Sequence, residues 1–405
     1  MGSFLPDLFD LPEPADFARE LEKELVQVLD WWPEHLWDQE EKAWYGRMKG
    51  DGTLDPDHSR GVILYTRLLW TYSSAARIMN NSYYRQLADH TYRYIRRYFQ
   101  DTEQGGLIWE VSAKGEVLAD KKQIYAQAFG IYAYSEYYRL TGSLEALETA
   151  LEWCHLVEVH SFDPDHGGYY EAFDREWNLL SDMRLSEKDA NTEKTMNTHL
   201  HLLEAFTNLY RVAPSESLNN QLTKLIRLFL DIFIDPVEQR LILFFDTTWD
   251  RQEDLISYGH DIETSWLLLE AADALADPDL LVEAKSAALH LVEAVIGHGV
   301  APQGGLWYER KGDQLDEDRH WWPQIEAVVG FINAWQLVGN PYYYLLAYRT
   351  WEYIKNHLID HEHGEWFWSV DKHGIPNIKD DKAGPWKANY HNCRGCMELM
   401  HRLMT

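Results

Sequence analysis

An acidic, glycine-rich turn followed by aromatic residues returns six times along this chain. It appears as Asp38-Gln-Glu-Glu-Lys-Ala-Trp44-Tyr45, then as Asp101-Thr-Glu-Gln-Gly105-Gly106-Leu-Ile-Trp109. It returns as Asp163-Pro-Asp-His-Gly167-Gly168-Tyr169-Tyr170 and, more degenerate, as Asp235-Pro-Val-Glu-Gln-Arg-Leu-Ile-Leu-Phe244-Phe245-Asp246. The last two copies are Ala301-Pro-Gln-Gly304-Gly305-Leu-Trp307-Tyr308 and Asp360-His-Glu-His-Gly364-Glu-Trp366-Phe367-Trp368. Copies recur every roughly 60 to 72 residues, and a period of that kind dictates a fold of equivalent units packed on one another. Each turn follows a segment of helical periodicity, such as Tyr84 to Phe99, Leu144 to His160 and Leu218 to Phe233. Second helix-like segments, richer in apolar and small residues, begin near Gly61, Gln123, Met196, His260, Trp322 and His391. One helix of each pair reads as amphipathic and outer, the other as nearly buried and inner. Each unit is therefore expected to be an αα-hairpin plus a loop of short β character. Six units predict an all-α fold, an (α/α)6 toroid, with the inner helices closing a ring and the loops at one end. An open solenoid is the competing architecture, but solenoids run on shorter repeats of about 33 to 47 residues. No linker or low-complexity stretch divides the chain, so residues 1–405 are expected to form a single catalytic domain.

Aromatic residues make up 14% of the chain, with 18 Trp and 24 Tyr, more than a core alone tends to use. Such rings stack on the apolar faces of sugars while their polar tips reach hydroxyls; an aromatic-rich core is the plainer explanation. The formal net charge of −29 argues against nucleic acid or an anionic membrane as partner, since both select basic patches. A neutral small-molecule substrate fits better, although a solvated acidic surface accounts for most of the charge. Cys154, Cys393 and Cys396 cannot make a disulfide framework, and the C-x-x-C lacks both βαβ surroundings and a second pair. They read as helix-packing residues. Met1 to Pro14 reads as a leader into the first helix, with no signal peptide and no apolar run of spanning length, so a cytoplasmic protein is expected.

Polar residues gather at the starts of the inner helices. Aligned with one another, the units read His201-Leu-Leu-Glu204, His260-Asp-Ile-Glu263, Pro323-Gln-Ile-Glu326 and His391-Asn-Cys-Arg394. A residue and its i+3 neighbour share a helix face, so three repeats present a His and three a Glu at equivalent points of one ring. This alignment puts His201, rather than His199, level with His260. A single histidine here reads as a satisfied buried residue, whereas three in register point to acid–base chemistry. A metal site is the alternative, but no H-E-x-x-H is present and ligands from separate repeats would have to converge, so no metal is expected. Tyr258, Trp321, Trp322, Trp386 and Tyr390 lie just before or beside these positions, and Trp109 and Trp307 lie in the loops. Together they would floor and wall a sugar cleft. Arg67 sits in the apolar start of the first inner helix, where a charge is costly unless paired or aimed at a ligand. Tyr125 and Asn197 occupy comparable places in the next two units.

The stretch Lys194-Thr-Met-Asn197-Thr-His-Leu-His201-Leu-Leu-Glu204-Ala resembles the N-acylglucosamine 2-epimerase superfamily and, within it, the branch acting on cellobiose. So do Gly259-His260-Asp-Ile-Glu263, Arg319-His-Trp321-Trp322-Pro-Gln and Trp386-Lys-Ala-Asn-Tyr-His391-Asn, and the likeness runs over nearly the whole chain. The resemblance implies the (α/α)6 fold and a cofactor-independent isomerase. Its reaction would invert C2 of the reducing-end aldose of a β-1,4 disaccharide such as cellobiose, lactose or mannobiose. It assigns Arg67, Tyr125, Asn197, His201, Trp322, Glu263, His260, Trp386 and His391 to the active site, with Asp189 of the loop Ser186-Glu-Lys-Asp189 at its border.

Epimerisation at C2 needs the open-chain aldehyde, a base that removes the proton to give a cis-enediolate, and an acid that returns one on the opposite face. Histidine suits both roles. On this reading His260 and His391 form the pair and His201 assists ring opening. Arg67, with Tyr125 and Asn197, stabilises the enediolate oxygen. Glu263 and Glu326 orient the histidines, and Trp322 and Trp386 stack on the sugar. Three other readings stand beside it: epimerisation or aldose–ketose isomerisation of free mannose or glucose, a glycoside hydrolase using Glu263 and Glu326, and a non-catalytic sugar-binding protein.

Overall fold

A computed structural model describes residues 11–405; the first ten residues of the expected leader lie outside them. From there the chain alternates outer and inner helices: α1 (Pro14–Leu36), α2 (Val62–Met79), α3 (Ser82–Tyr98), α4 (Ile124–Thr141), α5 (Leu144–His160) and α6 (Met196–Val212). It continues with α7 (Glu216–Leu228), α8 (Tyr258–Leu275), α9 (Pro278–His298), α10 (Trp321–Val338), α11 (Pro341–Tyr353) and α12 (Tyr390–Met404). Two outer helices, α7 and α11, run on into π-helical turns, Phe229–Phe233 and Ile354–Leu358. The even-numbered helices are the apolar segments of the repeat, and burial explains their composition. Every residue of α2 from Val62 to Ala76, and of α4 from Ile124 to Tyr137, is buried. A helix that is apolar around its whole circumference must be covered on all sides.

The cover comes from both directions. Each inner helix packs on the next, α2 on α4, α4 on α6, α6 on α8, α8 on α10 and α10 on α12. Contact between α12 and α2 closes the ring. The odd-numbered helices form the outer layer, so the expected closed toroid is what the chain builds. One expectation needs correction. The repeat suggested hairpins joined across the glycine-aromatic loop, from each outer helix to the next inner one. The close pairs instead run from inner to following outer helix, as in α2 with α3 and α4 with α5. These are joined by tight turns at left-handed Asn80 and Gly142. That shift leaves α1 to pair with α12, which ties the two ends of the chain together.

The long loops all lie at the N-terminal ends of the inner helices, and their sequence explains their form. The side chains of Asp38, Asp101, Asp163, Asp235 and Asp360 each accept from the backbone N–H groups two and three residues on. Gly105, Gly106, Gly167 and Gly168 then take positive φ values between 74° and 77°, which a side chain would strain. Buried Lys122 and Lys194 donate to the second carboxylate oxygen of Asp101 and Asp163. Strands of two or three residues stitch units together, as in Lys122–Gln123 with Ala172–Phe173, and Lys194–Thr195 with Phe244–Phe245. Cys154 on α5 and Cys393 and Cys396 on α12 are buried and unpaired, as packing residues would be. Among the described residues no helix is long and apolar enough to cross a membrane.

Candidate active site

The loops fix the register of the inner helices through one polar side chain each. Gln127 bonds both the N–H and the carbonyl of Leu107, and Gln324 does the same for Leu306. In the other units His199 Nε2 accepts from the Tyr169 N–H, and Asp261 from Leu241. All four are the fourth residue of their helix. His199 is therefore the clamp of its repeat, and the sequence alignment of His201 with His260 is three residues out. His260 is the third residue of α8, whereas His201 is the sixth of α6, level with Glu263 of α8 and Glu326 of α10. A slip of three keeps a residue on the same helix face, so periodicity alone could not detect it.

His201, His260 and His391 are nevertheless brought together, and each is held in the same way. Nδ1 of His391 lies 2.8 Å from Glu326 Oε1, Nδ1 of His201 lies 3.0 Å from Glu204 Oε2, and Nδ1 of His260 lies 2.7 Å from Ser257 Oγ. Nε2 of all three has no hydrogen-bond partner among the described residues. Trp322 joins two of them, its ring 4.8 Å from that of His260 and 5.5 Å from that of His391. Burial pushes the His260 imidazole down to about 3, with His201 adding to the effect. Burial also holds His391 well below its ordinary range, helped by Arg67, Arg394 and His201. Both are neutral imidazoles at neutral pH, and the inner-helix N-termini reinforce this because their dipoles disfavour cations.

Arg67 rises from one turn deeper in α2. It donates to the Tyr125 hydroxyl at 2.8 Å and to the Trp386 carbonyl at 3.2 Å, and its guanidinium lies 4.7 Å from the Phe129 ring centre. The Tyr125 ring meets His201 edge-on at 4.8 Å and Trp386 at 6.3 Å, and Trp109 packs 5.9 Å from Trp386. Half-buried Asn197 keeps an unpartnered Oδ1. It shares a cavity of about 100 Å³ with His260, Asp189 and Tyr308. Asp189 holds its loop by accepting from the N–H and hydroxyl of Ser186.

Four residues expected at the sugar have other surroundings. Trp307 packs partly buried on the core, with no ring contact to the histidines among the described residues. Trp321 is 3% exposed and lies behind His391, 4.8 Å from Trp368, so it offers no free face. Glu263 and Glu326 are buried beneath the histidines, where both bond the same guanidinium nitrogen of Arg394. That arrangement suits neither a sugar contact nor a pair flanking a glycosidic bond. Glu326 orients His391 as expected, but His260 is oriented by Ser257. Glu263, Glu326 and His391 approach closely enough to hold a metal ion, yet the Arg394 guanidinium already supplies the cation both carboxylates bond.

The chain matches the model of the N-acylglucosamine 2-epimerase (GlcNAc 2-epimerase) family over residues 43–394. It belongs to that family. The cellobiose 2-epimerase of Bacteroides fragilis is 46% identical over 385 residues, covering 94% of this chain and 98% of its own. A solved structure of cellobiose 2-epimerase from Bacillus thermoamylovorans B4167 superposes with a TM-score of 0.92 at 39% identity, covering 96% of this chain and 99% of that one. The D-mannose isomerase of Marinomonas mediterranea is more distant, 23% identical over 388 residues, covering 90% of this chain and 92% of its own.

Sequence reasoning gave Arg394, Glu204 and Ser257 no role in this N-acylglucosamine 2-epimerase site, and Tyr390, expected in the cleft wall, is buried against Glu204. The signal for the first two was present: the aligned units put one Arg opposite a row of Glu. A larger cavity, about 1080 Å³, opens at the C-terminal ends of the inner helices, lined by Arg139, Arg211, Glu270 and Glu398. Glu204 also borders it, whereas the histidines sit at the N-terminal end.

Proposed function

We propose that this chain inverts C2 of the reducing-end glucose or mannose unit of a β-1,4 disaccharide such as cellobiose, working as one catalytic domain in the cytoplasm. The observation that carries the reading is the common anchoring of His201, His260 and His391 through Nδ1, which leaves each Nε2 available. The high identity to a cellobiose 2-epimerase, against the low identity to a D-mannose isomerase, supports a disaccharide over a free sugar. Three unpaired cysteines support a reducing compartment.

The geometry suits each step. His201 passes a proton between the ring oxygen and the anomeric hydroxyl, opening the ring to the aldehyde. The carbonyl then acidifies the C2 proton. Neutral His260, or His391 in the opposite direction, takes that proton on Nε2, and the electron pair moves onto the carbonyl oxygen as an enediolate. Arg67, supported by the Tyr125 hydroxyl, faces that developing charge. The partner imidazole returns a proton from the other side. To donate from Nε2 while staying neutral, His391 must take a proton at Nδ1 from Glu326, the carboxyl it bonds, with Glu263 beside it. Burial raises Glu263 to about 7, and Glu326 opposite it adds to the rise. Trp322 and Trp386 cover the sugar and exclude water.

Cellobiose and mannose, incubated separately in heavy water and followed by NMR, test the reading. The expected result with cellobiose is a glucosyl-mannose product carrying deuterium at C2, with the glycosidic bond intact. Free glucose as the main product would replace it with hydrolysis, and turnover of mannose alone would move the substrate to the monosaccharide.

A further inference from the structure

Ring opening and C2 proton transfer fall to different histidines on different helices. Their anchors meet on one residue. Arg394 lies three residues after His391 on α12 and is 1% exposed. Its Nη1 bonds Glu204 and the Tyr390 hydroxyl, and its Nη2 bonds Glu263 and, at 2.7 Å, Glu326. Glu204 uses its other oxygen to hold His201, and Glu326 uses the oxygen facing Arg394 to hold His391. Carboxylates from α6, α8 and α10 thus converge on one side chain of α12. The Trp266 ring packs 4.9 Å from the guanidinium and the Tyr390 ring 4.5 Å. Further titratable or charged groups surround the cluster: Tyr132 of α4 packs 6.3 Å and Arg67 of α2 5.4 Å from Tyr390, Arg402 lies 5.8 Å from the Trp266 ring, and Tyr125 and Glu398 are close by. Only a planar fork with several fixed donors spans such a set; an ammonium is a single point charge.

We propose that Arg394 is a positioning residue that couples His201 to His391, so that the ring-opening and C2 proton-transfer histidines work as one electrostatic unit. The inference rests on the epimerase reading and adds to it a coupling between two of its steps. If Glu204 and Glu326 act through a shared centre, removing either charge disturbs both histidines, and removing the second adds little.

A double-mutant cycle on kcat with cellobiose tests this, using Glu204→Gln and Glu326→Gln, singly and together. Each single change should lower kcat by roughly 10- to 100-fold, the range for residues that orient a reacting group, with KM within about threefold. The double variant should fall within about threefold of the slower single variant. Arg394→Lys should recover activity relative to Arg394→Met without reaching wild type. Losses that multiply in the double variant, or Arg394→Met at wild-type kcat, would overturn the proposal. If Arg394→Met does not fold, the Glu204/Glu326 cycle decides alone. Wild-type protein inactive on cellobiose would instead sink the functional reading, which keeps the two failures distinct.

Discussion

The indole of Trp322 lies 4.8 Å from the imidazole of His260 because the residue before that histidine has no side chain. A Cβ on Gly259 would come 2.5 Å from Trp322 Cη2 and 2.9 Å from Pro323 Cβ. Gly259→Ala must therefore push Trp322 from its place beside His260 and His391. Overpacking of this kind costs about 1–3 kcal/mol. The displaced ring should also lower kcat by roughly 10- to 100-fold, the scale of a misplaced reacting geometry. Steady-state kinetics and thermal unfolding of the variant check both expectations.

His199 and His201 should separate cleanly. His199 performs on the Tyr169 N–H the task that Gln127 and Gln324 perform on Leu107 and Leu306. His199→Gln should keep kcat/KM within about threefold of wild type, whereas His201→Gln should lower kcat by roughly 100-fold or more through loss of proton transfer. Equal losses in the two variants would contradict a register in which His199 is the clamp and His201 faces the site.

In the proposed mechanism Arg67, held by the Tyr125 hydroxyl and the Trp386 carbonyl, faces the enediolate oxygen. Arg67→Met should lower kcat by roughly 100- to 1000-fold, the effect of removing one oxyanion donor, with little change in folding stability. A loss confined to KM would instead assign Arg67 to ground-state binding.

Stability should depend on pH from both sides. His260 is held at about 3 when folded, against about 6.5 unfolded. The folded state binds fewer protons, so its contribution is complete above the unfolded value and is lost as pH falls toward 3. Glu171, bonded by the Thr195 N–H and the Thr198 hydroxyl, has the opposite sign: burial raises it to about 8. Its contribution is complete below the unfolded value near 4.3 and is lost as pH rises through 8. Glu171→Gln should flatten the fall in Tm between pH 6 and pH 9, measured by calorimetry in matched buffers. Parallel curves for wild type and variant would contradict this.

The toroid was legible in the chain because each unit repeats a turn with a physical purpose. An Asp caps two backbone N–H groups, and glycines supply the positive φ that follows. Inner helix starts such as Ile124 and Met196 fell within a residue or two of their expected places, because helices apolar all round announce themselves. The hairpin partners were not legible, since only packing shows that α1 closes on α12. The histidines could be picked out by residue type, but their levels could not: a three-residue slip preserves the helix face. Trp321 turns inward against Trp368, since an aromatic residue near a cleft in sequence can face the core as readily as a sugar. Arg394 is hard to read from the repeat because matching residues mark equivalent positions, whereas this one differs from its row of Glu by its charge.

The most direct test of the paired imidazoles follows hydrogen at C2 by NMR in heavy water, with His260→Asn and His391→Asn. Each variant should lose epimerisation of cellobiose by roughly 1000-fold or more. One should still exchange the C2 hydrogen of the glucose-configured sugar, and the other only that of the mannose-configured product. Both variants exchanging the same epimer, or either one still inverting C2 at the wild-type rate, would contradict a proton passed between His260 and His391 across the open sugar.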